Sequence, residues 1–277
     1  MEIFKEAYTK ELDRLLWRSE VPVPRPENEY YAMRKKDGRL IAAGVCWTSR
    51  LHPKRIRFFI SVEELYRGRG YGTEMFRRMQ ADHEGAKWQG SADLDNEDAE
   101  WWLRGMGFEF SYRSYWLDGM VADLLDHEEY GMELRRMDGL TEEQKARLIS
   151  MAWTDYTGRH EKIDPLNEEM DAECFVRSVL GELNGRTSWC LMNGEEIDAY
   201  LLCGAGADDW TASARQTGHR LSDPETYRRF LLTAVNRVFE QAGGLIMEAE
   251  SFDADALTLL RLFGDLPDDS YDTYVLE

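Results

Sequence analysis

The sequence predicts a mixed α/β protein built from two tandem units, and three observations lead there. Over residues 62–79 an alternating strand runs into a glycine-rich turn and then into a helix with an apolar stripe. Hairpin turns stand in both halves, Lys36-Asp37-Gly38 and Asn193-Gly194, each between apolar strand patterns. A constant shift of 157 residues lays Asn96, Ala99 and Gly107 on Asp253, Ala256 and Gly264, with no insertion needed.

The elements of the first unit follow in order. Ala7, Leu12, Leu15 and Leu16 share one face of a helix expected to run to about Ser19, ahead of Pro22, Pro24 and Pro26, which cannot continue it. Strands are expected at 30–35 and 39–48. In a strand at 55–62, Ile56, Phe58, Ile60 and Val62 alternate with Arg55, Arg57, Phe59 and Ser61. Tyr71, Met75 and Met79, with Phe76 beside them, stripe a helix at 72–85, and this methionine stripe reads as core. A strand at 87–93 leads to a second helix carrying Ala99, Trp102, Leu103 and Met106. An aromatic strand at 108–117 is expected to close the unit.

An acidic stretch at 118–131 reads as the linker, giving expected domains of 1–120 and 131–277. The pattern then restarts. A strand at 132–137 precedes a helix opened by Thr141-Glu142-Glu143 and carrying Leu148, Ile149, Ala152 and Trp153. Phe175, Val176, Val179 and Leu180 stripe another helix, and strands are expected at 188–192, 197–203 and 211–218.

Composition narrows the function. The 277 residues, 43% hydrophobic, suffice for a sizeable core. A net charge of -19 argues against nucleic acid as partner, and it either fits a cationic acceptor better than an anionic one or only keeps the protein soluble. Cys46, Cys174, Cys190 and Cys203 form no C-x-x-C pair, and the five His show no metal-ligand spacing, so no metal is expected. The charged N-terminal stretch is neither signal peptide nor membrane span, and a reduced cytoplasmic location is expected, with monomer or homodimer left open.

The chemistry centres on Arg67-Gly68-Arg69-Gly70-Tyr71-Gly72-Thr73. Small residues and the unpaired amides of the following helix make an anion site without an obligatory lysine. A P-loop would need a lysine after the glycines and there is none. A dinucleotide fingerprint breaks at Thr73, where its third glycine belongs, and only Asp93 speaks for it.

The turn resembles the central motif of the GNAT family of N-acetyltransferases, Arg/Gln-x-x-Gly-x-Gly/Ala, through Arg67, Gly70 and Gly72. A second family motif, Asn-x-x-Ala followed by a helix and Gly-Phe, is matched by Asn96, Ala99 and Gly107-Phe108. The resemblance implies, for each unit, a mostly antiparallel central sheet flanked by helices. It also implies acetyl-CoA as co-substrate, held by Val62, Arg67, Gly68, Arg69, Gly70, Tyr71, Gly72, Thr73 and Asn96. Val62 stands where the family pairs backbone with the pantetheine arm and polarises the thioester carbonyl, while Glu64 replaces the common proline.

The departures matter as much. The family's tyrosine acid falls on Leu103, and on Leu260 in the second half. The carboxylate base of protein-acetylating relatives falls among Lys54, Arg55 and Arg57. Glu63, Glu64, Tyr112 and Tyr115 remain as acid–base candidates, and Glu63 is the preferred one. In the second half, Gly68, Gly70 and Gly72 are matched by Glu225, Tyr227 and Arg229, and Pro224 removes an amide, so no coenzyme is expected there; Arg228 and Arg229 are the only anion ligands in view. The expected function is N-acetylation of a small amine-bearing acceptor by direct attack on the thioester. A non-catalytic acyl-CoA-binding or interaction module is the alternative, and a dehydrogenase a distant third.

Overall fold

The computed structural model describes residues 1–16, 27–126, 130–206 and 210–277, so Pro22, Pro24 and Pro26 lie outside the described residues. It divides into two compact units, Met1–Ser111 with Asp272–Glu277, and Tyr112–Tyr271.

In unit 1 the strand order is β1 (Glu2–Glu6), β2 (Glu29–Arg34), β3 (Leu40–Thr48), β4 (Ile56–Val62), β5 (Trp88–Asp93) and β12 (Ser270–Leu276). The first four strands pair antiparallel, and β4 and β5 pair parallel. Strand alternation sorts the core onto two faces. Helix α1 (Lys10–Leu16) sets Leu12 and Leu16 against Tyr30, Ala32, Ala43 and Val45. On the other face α2 (Tyr71–Asp82) and α3 (Glu97–Gly105) pack Met75, Phe76, Met79 and Leu103 against Tyr31, Met33, Cys46 and Phe58. The methionine stripe is core, as its spacing indicated. Helix α2 lies so close to β3 that a Cβ on Gly44 would stand 2.3 Å from Met79 Cε. Strand β1 has no counterpart in the sequence reading, α1 begins at Lys10 and so leaves Ala7 outside it, and the expected continuation to about residue 19 lies outside the described residues.

The strand at 108–117 does not close unit 1. As β6 (Glu109–Met120) it runs antiparallel to β11 (Gly244–Glu250), from Ser114 opposite Glu250 to Met120 opposite Gly244. The place beside β5 goes to β12, whose Tyr274 is 0% exposed in the unit 1 core. Arg55 pairs with Glu277 at 2.5 Å, Lys87 also pairs with Glu277, and Arg104 lies over the Tyr274 ring. The division therefore differs from the expected 1–120 and 131–277. The reason is that both closing strands are aromatic and alternating, so neither names its neighbour. Residues 118–120 of the expected linker are strand.

Unit 2 orders its strands β6, β11, β10 (Thr211–His219), β9 (Glu196–Ala205), β8 (Trp189–Asn193) and β7 (Leu134–Arg136). Helices α6 (Pro224–Phe239) and α7 (Ala254–Leu260) cover one face through Phe230, Leu231, Val235 and Leu259. Helix α4 (Glu142–His160) and α5 (Ala172–Phe175), which runs on into a π turn at Val176–Leu180, cover the other. Thr141 and Gln144 close a reciprocal capping box at the start of α4. Adding 157 to β4 gives 213–219 against the observed β10, and adding it to β5 gives 245–250 against β11. All four cysteines are free thiols. Among the described residues no helix is long and apolar enough to cross a membrane.

Tyr274→Ala should lower the unfolding free energy by about 3–5 kcal/mol, the usual cost of emptying a buried aromatic site. Chemical denaturation measures it; an effect below about 1 kcal/mol contradicts a role for β12 in the unit 1 core.

Candidate active site

Strand β4 keeps one neighbour and loses the other. It pairs with β3 along its whole length, Ala42↔Val62 to Thr48↔Ile56, but with β5 only at Ile56↔Trp88 and Arg57↔Gln89. Ile56 N–H donates to Lys87 C=O on the β5 side, and Glu63 N–H to Ile41 C=O on the β3 side. Backbone alternation therefore turns the peptide groups of Ile60 and Val62 toward the β5 side, past the point where pairing stops. Val62 C=O accepts from Arg67 Nε at 3.1 Å. Ile60 N–H, Ile60 C=O and Val62 N–H have no protein partner among the described residues.

The glycine turn follows directly. Gly70 is the N-cap of α2 with φ 82°, left-handed backbone suited to glycine, and no side chain caps the helix. The first amide accounted for is Glu74 N–H, to Gly70 C=O at 2.9 Å; those of residues 68–73 have no protein partner among the described residues. Basic groups gather nearby in an acidic chain. Lys35 Nζ donates to Tyr66 Oη at 2.6 Å, and Lys35, Arg39 and Arg69 lie 4.5, 5.7 and 5.6 Å from the Tyr66 ring centroid. The Lys35 bond holds the Tyr66 phenol below its usual range. Tyr66, which the sequence reading passed over, sits between Glu63 and Arg67 and organises these cations.

The other expected residues separate. Asn96 is the N-cap of α3, its Oδ1 accepting from Ala99 N–H at 3.2 Å. Thr73 Oγ1 accepts from Trp102 Nε1 at 3.0 Å, tying α2 to α3. Leu103, at the tyrosine position, is 3% exposed and purely core. Glu63 directly follows β4, with Oε2 3.6 Å from Arg39, and Glu64 is exposed in the short turn that it caps. Tyr112 and Tyr115 belong to unit 2, Tyr112 edge-on to Phe252 and Tyr115 against the unit 2 core.

Unit 2 repeats the frame and fills it from within. Strand β10 pairs with β11 only from Thr211↔Gly244 to Ser213↔Ile246, with a bulge against β9 between Ala214 and Gln216. Thr217, a shift of 157 from Ile60, has its C=O bonded to Arg159 at 2.9 Å. The same guanidinium pairs with Asp253 at 2.7 Å and Asp255 at 2.5 Å. Burial works against the charge on Arg159, but these carboxylates hold it above its ordinary range. Helix α6 begins earlier than α2 does, replacing the glycine turn. Asp223 caps it, accepting from Glu225 and Thr226 N–H at 3.3 and 3.0 Å. Tyr227 is core, stacked on His219 at 4.0 Å, and does not project into an anion site; Arg228 and Arg229 are engaged by Glu225.

Spacing also concealed one cluster in unit 1. Glu29 and Cys46 face each other across β2 and β3, and His83 follows α2, bringing ligand-type atoms within 4.8 Å of one another. Glu29 accepts from His83 Nε2 at 2.8 Å and from Lys5 Nζ at 2.7 Å, so an ammonium already neutralises this carboxylate.

No protein-family model and no curated protein matches the chain. Solved structures show the fold. A GCN5-related N-acetyltransferase from Sphaerobacter thermophilus superposes with a TM-score of 0.70 at 12% identity, covering 99% of this chain and 95% of its own. An acetyltransferase of the GNAT family from Colwellia psychrerythraea gives 0.54 at 11% identity, covering 99% of both chains. A GCN5-related glucosamine N-acetyltransferase region of a fungal multi-domain β-N-acetylglucosaminidase gives 0.59 at 11%, covering 99% of this chain and 38% of that one.

Arg159→Ala leaves two half-buried carboxylates facing each other and should cost up to about 3 kcal/mol of stability. Arg159→Lys should recover part of it. Equal stability of all three proteins in urea would show the Arg159 network to be idle.

Proposed function

We propose that unit 1 binds a CoA thioester, acetyl-CoA in the first instance, and transfers its acyl group to a small amine. One observation carries this: a row of donors and acceptors at Ile60 and Val62 on an unpaired strand edge, continuing into the uncapped amides of residues 68–73. A diphosphate suits those amides, since the helix dipole and the N–H groups converge on it, with Arg67 and Arg69 adding charge. Gly68, Gly70, Tyr71, Gly72 and Thr73 supply the backbone of this cradle. The pantetheine arm, with its own amides, suits the strand edge. The fold shared with acetyltransferase structures supports acyl transfer over a nicotinamide enzyme.

Val62 N–H is placed to polarise the thioester carbonyl as negative charge grows on its oxygen. The amine must arrive deprotonated, and Glu63, at the end of the same strand, is the base we assign, acting directly or through water. Asn96 caps α3 through Oδ1, which leaves its Nδ2 to donate to the coenzyme. Leu103 offers no proton to the departing thiolate, which solvent or a water chain protonates. Unit 2 we read as a second copy of the fold without a coenzyme site, because Asp223 occupies its helix terminus and Arg159 its strand edge. The apolar Leu103 position favours a second reading, binding without turnover; amine-dependent release of free thiol separates the two.

Acetyl-CoA titrated calorimetrically should bind one site per chain. Gly72→Leu is the informative variant, because a Cβ there meets only ordinary contacts, 3.9 Å from Trp102 and Val62, and the fold should survive. Its affinity should fall at least about 100-fold with unfolding unchanged, the side chain standing where the ligand approaches. Undiminished binding would falsify the cradle. Glu63→Gln should lower kcat by about 10²-fold or more without changing the KM for acetyl-CoA, the usual scale for a lost general base. An unaltered kcat removes Glu63 from the mechanism.

A further inference from the structure

Where β10 and β11 part in unit 2, they enclose a cavity of about 250 Å³, roofed by α4 and α7. Its polar groups are unevenly satisfied. Gln216, 8% exposed, donates through Nε2 to Ala152 C=O at 2.7 Å and to Tyr200 Oη at 3.1 Å. A carbonyl partner can only accept, so the amide orientation is set and Oε1 is the acceptor end. That Oε1 is buried without a hydrogen-bond partner among the described residues. Glu250 is on the wall from β11, and its carboxylate makes no ion pair and no hydrogen bond to another side chain among the described residues.

The neighbouring cations are already committed. Arg159 is held by Asp253, Asp255 and Thr217 C=O, and Arg215 donates to Ala205 C=O. His160 Nδ1 faces Tyr156 C=O at 2.9 Å, and Glu248 takes the Tyr271 hydroxyl at 2.5 Å. Arg215 is exposed and keeps its charge at the rim, and within the wall the carboxylate without an ion-pair partner among the described residues is Glu250. Trp116, Tyr156, Val179 and Leu259 line the rest with aromatic and apolar surface.

These features select a ligand class. An anion would meet Glu250. A divalent metal of the hard kind needs six or more oxygens and finds one free carboxylate and one amide oxygen. A quaternary ammonium has no N–H for Gln216. A primary ammonium answers both acceptors and leaves a short alkyl stem for the apolar walls. We propose that this cavity binds the ammonium end of a small aliphatic primary amine, with Glu250 compensating the charge and Gln216 Oε1 accepting one N–H. The assignment concerns unit 2 alone and does not rest on the coenzyme reading of unit 1.

A pH dependence follows from the same surroundings. Burial, with Glu248 on its own strand and Asp253 at the start of α7, pushes Glu250 up to about 7, against the pull of Arg159 on α4. His160 on α4 and Arg215 on β10 complete the groups facing the cavity. Only the ionised carboxylate attracts an ammonium, and an alkylamine stays protonated throughout this range. Affinity should therefore rise as pH rises through 7 and fall by up to about tenfold per unit below it.

The test is calorimetric titration of the full chain with n-pentylamine and with n-pentanol, at about pH 8 and about pH 6. The expected result is saturable binding of the amine alone, about tenfold weaker at the lower pH, and preserved in Gly72→Leu. Glu250→Gln, which keeps the volume, should weaken the amine at least tenfold. No saturable heat, equal binding of the alcohol, or equal affinity at the two pH values overturns the proposal on the unaltered protein, whether or not the variant folds. Unchanged affinity in a folded Glu250→Gln overturns it as well.

Discussion

One strand that keeps one partner and leaves the other is the constraint on which unit 1 depends. A hydrogen-bonding edge is ordinarily paired or covered, because a bare one invites another chain. Strand β4 is held too firmly by β3 to follow β5, and α2, seated against Gly44, holds the helix terminus at the end of the same strand. The opening is therefore a property of the sheet and not of a loop, and its donors are positioned before any ligand arrives. Such preorganisation is what lets weak main-chain dipoles act strongly at a reacting carbonyl.

The two units share this frame and reach opposite electrostatic ends. Unit 1 leaves its helix terminus uncapped beside arginines. Unit 2 closes the same position with the Asp223 carboxylate and the strand edge with the Arg159 guanidinium. A protein carboxylate stands where the other unit offers room for a phosphate. The internal charges of unit 2 are then mutually satisfied, except at the cavity wall, and buried ion pairs of this kind stabilise little beyond what their desolvation costs.

Much of this was legible because period and punctuation are local. The alternation of Ile56, Phe58, Ile60 and Val62, the stripe of Met75 and Met79 and the three glycines between them each report on neighbours a few residues away. Partnership between distant strands is not written that way. Tyr115 and Tyr274 lie in similar aromatic strands, and nothing in either names β11 or β5 as its neighbour. The shift of 157 located the second sheet, but the extra helical turn of α6, which carries Tyr227 into the core, replaced a loop whose length the shift could not resolve. Glu29, Cys46 and His83 meet only because three elements fold together, as do Arg159 and Asp253. Tyr66 had a signal, an aromatic residue within a run of charges, whose meaning depended on where Lys35 and Arg39 would come.

Strand β12 also orders events in time. Unit 2 is one continuous run of chain, whereas unit 1 lacks a strand and the Tyr274 ring until residues 272–277 have been synthesised. Unit 1 is thus begun before unit 2 and completed after it, and the edge of β5 that receives β12 has no strand partner until residues 272–277 are made. Nascent chains at that stage carry an exposed template for intermolecular pairing, and their safe passage depends on how quickly the final strand finds its slot.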